Sequence, residues 1–182
     1  LYLNRRFGWI NLLTYDSGVN KTITFAYNSF SGSDIGTRQF YFKTEDTRGY
    51  GANTSIQNFY LDKDDVRIDH LYGNGSVYNR SALPKLNFKV RIFDTDRNQS
   101  LGANRQGIFY LTKDGTNYIA TNYYYTDTSG NLTLNDITVD CSFEVGPQKW
   151  KAGTKDDNWY KDVNSSEFMF TVITVNLSTN LL

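Results

Sequence analysis

"LNFKVRI", residues 86–92, sets Leu86, Phe88, Val90 and Ile92 on one phase and Asn87, Lys89 and Arg91 on the other. Alternation with period two marks a half-buried strand, because successive side chains of a strand point to opposite faces of its sheet. "VDCSFEV", residues 139–145, is the clearest instance of the pattern. Val139, Cys141, Phe143 and Val145 point one way, and Asp140, Ser142 and Glu144 the other. Working outward, strands are expected at 7–13, 21–27, 38–44, 56–61, 66–72, 107–112, 117–125, 132–134, 148–152 and 167–175. Gly, Asn, Asp and Ser clusters separate them at intervals of roughly 8–15 residues, the spacing of β-sandwiches. No segment keeps a helical 3.6 period. The 14 Tyr and 12 Phe residues suit pleated, half-buried surfaces. The fold class is therefore all-β, built as a sandwich.

A chain of 182 residues removes about 70% of its unfolded surface from water, enough for a core without metals or disulfides. One of its two prolines, Pro84, lies in "SALPKL" at 81–86, directly before a fresh strand. A boundary there divides the chain into domains 1–83 and 84–182, each suited to a seven-strand sandwich. One larger sandwich spanning 1–182 is the alternative.

Composition excludes several roles. The 19 basic and 19 acidic residues cancel and form no run of like charge. No basic stripe exists to displace counterions from nucleic acid, and nothing favours electrostatic attachment to lipid. The longest apolar stretch, "FMFTVITV" at 168–175, is far short of the ~20 residues of a spanning helix. The absence of an initiator Met and of a signal-like start leads us to expect a mature or excised piece. Cys141 is the single cysteine, so the disulfide framework of small secreted animal domains is not available.

Asparagine supplies the strongest motif. With 19 Asn among 182 residues, and 13 Ser and 19 Thr to complete the triplet, random placement gives about three Asn-x-Ser/Thr acceptors for N-glycans. The chain contains eight, at Asn20, Asn53, Asn74, Asn79, Asn98, Asn131, Asn164 and Asn176. All fall in expected turns or strand ends, where a bulky sugar can be solvated. Turns are Asn-rich in any case, but composition alone leaves most of the excess unexplained. A glycosylated chain without disulfides fits archaeal cell surfaces, and some bacterial ones, better than an animal ectodomain. The expected location is extracellular, at the cell surface.

The stretches "FKVRIFDTDRN", "GIFYLTKDG", "TDTSGNLTL", "CSFEVGPQKWKAG" and "FMFTVITV" run in this order across 86–175. Together they resemble tandem immunoglobulin-like β-sandwich modules of prokaryotic, and especially archaeal, cell-surface, surface-layer or filament proteins. In such modules the tract after "TDTSGN" leads to a strand, a Trp and the closing strand, which Trp150 and "DNWYKD" fit. Cys141 has no partner for the antibody-type bridge, so the likeness is architectural. The resemblance implies a structural building block of a surface layer or extracellular filament, or an adhesin. Its partners would be copies of itself or neighbouring surface-protein domains.

Side chains for catalysis are scarce. His70, the only histidine, is in phase with Val66, Ile68 and Tyr72 and reads as a boundary residue of its strand. No strained G-x-S-x-G turn accompanies it. Cys141 reads as a buried, inert thiol. An enzyme is not expected. Asp94, Asp96 and Asn98 open like an EF-hand calcium loop, but Gln99 stands at the Gly position and Arg105 at the bidentate Glu position. Calcium would have to be held less formally there, with Asp62, Asp64 and Asp65 as a second candidate. A solvated turn is the competing reading. "NYYYTD" places Tyr123 and Tyr125 on one face and Tyr124 on the other, and Trp159 adjoins Tyr160. Exposed, Tyr123, Tyr125 and Trp159 could stack on sugars; buried, they would serve strand pairing. Finally, the apolar segment 7–13 is expected either as an edge strand of its own sheet or as a strand donated to a neighbour. Segment 167–175, apolar in both phases, is expected to be covered on both faces.

Overall fold

A computed structural model describes residues 2–5, 8–11 and 24–174. Its contacts divide the chain into two compact units, Leu1–Lys63 and Asp64–Leu182. The regular elements among the described residues are strands, apart from two short 3-10 turns. Among them no helix is long and apolar enough to cross a membrane.

The first unit contains β1 (Tyr2–Arg5), β2 (Gly8–Asn11), β3 (Gly36–Tyr41), β4 (Lys43–Glu45), β5 (Gly51–Asn53) and β6 (Gln57–Leu61). Four of these form a sheet in the order β2-β1-β3-β6, and β4 and β5 form a separate ribbon. Register sets Leu3 opposite Phe40 and Tyr2 opposite Tyr41, so alternation sends the two pairs to opposite faces. Phe40 joins Phe59 and Phe30 in a chain of ring contacts. Leu3 is buried. The described part of segment 7–13 is edge strand β2, paired in a hairpin with β1. Residues 24–27, expected at the end of a strand, lie outside regular structure.

The second unit contains β7 (Val66–Tyr72), β8 (Ser76–Asn79), β9 (Phe88–Asp94), β10 (Gln99–Ser100), β11 (Gln106–Thr112), β12 (Tyr118–Tyr125), β13 (Asn131–Leu134), β14 (Gly146–Thr154), β15 (Val163–Asn164) and β16 (Phe168–Ile173). In one sheet β7 runs along one edge of β9, while β10 and β13 share the other. The second sheet has the order β12-β11-β14-β16-β8, with β15 on the far end of β14 and β8 parallel to β16. Phe88, Val90 and Ile92 are fully buried, in the expected phase. They meet Phe109, Trp150 and Phe170 of the other sheet in one continuous core. Two sheets closing on one core make a sandwich. At its centre the Phe88 and Trp150 rings stack with centroids 4.4 Å apart and planes 5° from parallel.

Three local expectations are corrected. Residues 139–145 form a turn, not a strand: Asp140 accepts from the Ser142 amide at 2.9 Å, and the Phe143 amide donates to the Asp140 carbonyl at 3.1 Å. This Asx turn outcompetes the alternating pattern. Val139 and Phe143 are buried, while Cys141 and Val145 face solvent. Strand β16 is covered on one face only, since Phe170 and Val172 are buried but Met169 and Ile173 are exposed. Its edges are paired by β14 and β8. Lastly, the division of the chain falls after Lys63 and not near Pro84. Strands β7 and β8 pair with β9 and β16, and the Pro84 carbonyl accepts from the Val139 amide at 2.7 Å.

Candidate functional site

Six of the eight acceptor asparagines lie among the described residues; Asn20 and Asn176 fall outside them. Asn53 ends β5, Asn98 stands at the tip of the turn after β9, and Asn164 ends β15. All three are exposed. Asn98 occupies the left-handed region, with φ 52°, a conformation that asparagine tolerates better than most residues. Asn74 lies in the turn between β7 and β8, where its Oδ1 accepts from the Met169 amide at 3.0 Å. Asn79 ends β8, and its Oδ1 accepts from the Ser81 amide at 3.0 Å, capping the 3-10 turn Arg80–Ala82. Both structural bonds use Oδ1 and leave Nδ2, the atom to which an N-glycan is joined, unengaged.

Asn131 is built the opposite way. It is 8% exposed, its Nδ2 donates to Asp127 Oδ2 at 2.9 Å, and its Oδ1 accepts from Arg91 Nε at 3.3 Å. Asp127 also accepts from the amides of Ser129 and Asn131. A sugar on Asn131 would sever this turn from inside.

The three residues that open like a calcium loop diverge. Asp94 continues the inward phase of β9 and is fully buried. It accepts from the Arg97 amide at 2.9 Å and from Arg97 Nη1 at 2.8 Å, and Tyr160 Oη lies 3.4 Å away. Burial by itself would raise its carboxyl; the Arg97 hydrogen bonds more than offset that and hold it below the usual carboxylate range. Arg97 also pairs with Asp64. Asp96 accepts from the Asp65 amide at 2.9 Å, and Lys161 Nζ is 2.8 Å from Asp65. Protein cations thus occupy the spaces between these carboxylates. Among the described residues, no three His, Cys, Asp or Glu side chains are arranged to hold a metal ion. The cluster ties the end of β9 to the segments on either side of it.

Strand β12 carries a bulge. Thr121 and Asn122 lie opposite Phe109, between the pairs Ala120–Tyr110 and Tyr123–Ile108. Thr121 Oγ1 fastens it, accepting from the Phe109 amide at 3.2 Å. Beyond the bulge, Tyr124 turns inward against Phe109. Burial there, and the hydrogen bond to Asp136, push its phenol upward. Tyr123 and Tyr125 face solvent, 47% and 59% exposed, with hydroxyls donated to Asp156 Oδ2 at 2.8 Å and Gln106 Oε1 at 3.4 Å. Trp159 is partly exposed, and no ring contact joins it to either tyrosine. Lower on the same face, the Lys151 ammonium sits 4.7 Å from the Tyr118 ring centroid and 5.4 Å from that of Tyr110.

His70 is held by local structure: its Nε2 accepts from the Asn74 amide at 3.2 Å, and its ring lies 4.7 Å from that of Phe168. Cys141, expected to be buried, is exposed on the turn described above.

No protein-family model matches the chain, and a search of curated proteins returns no match. Among solved structures it is similar to a tetra-tandem repeat in the extending region of a large adhesion protein, at 14% sequence identity and a TM-score of 0.41. The similarity covers 93% of this chain and 40% of that one.

Proposed function

We propose that the chain is a structural, N-glycosylated module of an extracellular surface protein, a β-sandwich building block of a cell-surface layer or filament. The observation that carries this reading is the acceptor set. Eight triplets occur where composition gives about three. Five of the six described ones present an asparagine at a turn or strand end whose Nδ2 makes no structural bond.

The strand order of the second unit supports an immunoglobulin-like module. β7, β9 and β13 correspond to strands A, B and E, and β12, β11, β14 and β16 to C′, C, F and G. Phe88 and Trp150 stack between β9 and β14, the two strands that a disulfide joins in antibody domains. Neighbouring modules or further copies of the chain are the partners of such a block. A non-enzymatic role agrees with His70 Nε2 accepting a backbone hydrogen bond, which occupies the lone pair a general base would need.

Intact mass of the native protein tests this directly. It should exceed the 20.9 kDa polypeptide by several sugar chains, and electron microscopy of the source material should show layers or filaments. A native mass equal to that of the bare chain would refute the glycoprotein reading. The exposed Tyr123 and Tyr125 favour a second reading, an adhesive or carbohydrate-binding module. Binding to a glycan array that is lost in Tyr123→Ala would select it.

A further inference from the structure

The stretch "NGSVYNRS", residues 74–81, holds two acceptor triplets, and β8 lies between them. Strand β8 ends the second sheet. One of its edges pairs with β16, and among the described residues no strand pairs with the other. The register sets Val77 opposite Thr171 and Asn79 opposite Ile173. Val77, Met169 and Ile173 therefore share the outer face, where they are 60%, 48% and 42% exposed. An unpaired strand edge is a template for a further strand, and apolar surface beside it strengthens the contact.

Other edges of this unit carry guards within the strand. Strand β7, which ends the facing sheet, bears the exposed ion pair of Arg67 and Asp69, and β12, at the far edge of the second sheet, is bulged. Charges and bulges both discourage edge pairing. Strand β8 has neither. It reads Ser76-Val77-Tyr78-Asn79 and pairs with β16 without interruption. It is short, which limits a ladder, but the apolar surface continues past it to Met169. The acceptors stand at its two ends. The Asn74 Oδ1 accepts from the Met169 amide at 3.0 Å, and the Gly75 amide donates to the Met169 carbonyl at 2.7 Å. The first triplet is thus fastened where the apolar surface begins. Asn79 is the last residue of β8, opposite Ile173, where that surface ends. Even along a fully extended chain the two asparagines are at most about 18 Å apart.

We propose that glycans on Asn74 and Asn79 guard the β8 edge, covering Val77, Met169 and Ile173 and denying the edge to a strand of a second copy of this chain. This rests on the glycoprotein reading above and gives two of its acceptors a task. A glycan is bulky and solvated, so one rooted at each end of a four-residue edge obstructs an incoming strand along its whole length. In a layer or filament, copies of the chain are held beside one another at high effective concentration, so a second copy is the strand an open edge meets first. Contacts between modules are thereby confined to other surfaces.

The test uses full-length protein isolated in its glycosylated form. Glycopeptide mass spectrometry reads the occupancy of Asn74 and Asn79, and sedimentation velocity reads association. Ser76→Ala with Ser81→Ala abolishes both triplets while keeping both asparagines, and with them the bonds that Oδ1 makes to the Met169 and Ser81 amides. We expect this double variant to form species of at least twice the parent's mass at concentrations where the parent does not. Its amides at 76–79 should exchange with deuterium more slowly than the parent's. Adding Val77→Lys should restore the parent's sedimentation, because a charge closes an edge. Enzymatic removal of the glycans gives a second reading, free of the triplet substitutions: the stripped parent should associate, and the stripped Val77→Lys variant should not. Equal association in Ser166→Ala, which removes only the Asn164 triplet, would reveal a general solubilising effect of sugar and overturn the guard. So would occupied Asn74 and Asn79 with a double variant that sediments like the parent, or both asparagines bare while other acceptors are occupied. These three results leave the glycoprotein reading intact, whereas all acceptors bare would remove both.

Discussion

Trp150 is the largest fully buried side chain of the second unit and stacks on Phe88 from the facing sheet. Truncating it leaves a cavity between two sheets that cannot collapse independently. Trp150→Ala should therefore cost about 3–5 kcal/mol in chemical denaturation. The carboxylates predict the response to acid. Asp94 and Asp127 are held below the usual range: burial opposes this, and hydrogen bonds from Arg97 and Asn131 more than compensate. Asp114 is held down to about 2 by the Asn117 side chain and the amides of Asn117 and Thr116. A carboxyl whose folded pKa is depressed contributes stability above its unfolded pKa, near 3.9, and loses it as pH falls through the folded value. Melting temperature should thus be flat from pH 8 to 5 and decline below pH 4. A protein equally stable at pH 3 and pH 6 would show that these bonds contribute nothing.

At the scale of elements, the segment 139–145 shows how two local codes compete. Its alternation matches a strand, yet the Asp140 side chain satisfies the Ser142 amide and hydroxyl and closes a turn before any ladder can form. One consequence is chemical. The Cys141 thiol is on the surface, so a thiol reagent such as Ellman's should label it in the native protein at about the rate seen in denaturant. Labelling only after unfolding would restore the buried reading. Strand β12 makes the reverse point. Its bulge at Thr121–Asn122 resets the phase, which puts Tyr118, Tyr123 and Tyr125 on the same outer face despite an odd separation between Tyr118 and Tyr123.

For the whole molecule, the second unit carries a continuous core drawn from both of its sheets. A fragment spanning 64–182 should accordingly fold alone and unfold cooperatively, with a Trp fluorescence transition matching the more stable one of the full chain. A fragment cut at 84 should not, because it lacks β7 and β8, the partners of β9 and β16.

The all-β class, most strands of the second unit and the surplus of glycan acceptors could be read from the sequence alone. Each depends on local periodicity or on a triplet, and the phase of β9 was legible because its alternation agrees with its burial, although the strand runs over Phe88–Asp94, two residues later at each end than 86–92. Strands β8 and β10 were not, because a few polar residues in a loop become a strand only when a partner edge lies beside them. The grouping of strands depended on pairings far apart in the chain: Pro84 looked like a boundary, but β7 and β8 cross it to reach β9 and β16. The acceptors separate in the same way. Asn74 and Asn131 begin equivalent triplets, yet hydrogen bonds engage Oδ1 alone in the first and both amide atoms in the second, with Arg91, 40 positions away, holding its Oδ1. Likewise β1 and β3 bring Tyr2 and Tyr41, 39 positions apart, into register. A triplet or an alternating run is a property of neighbours in sequence; burial, pairing and which atom of an amide is engaged are properties of neighbours in space.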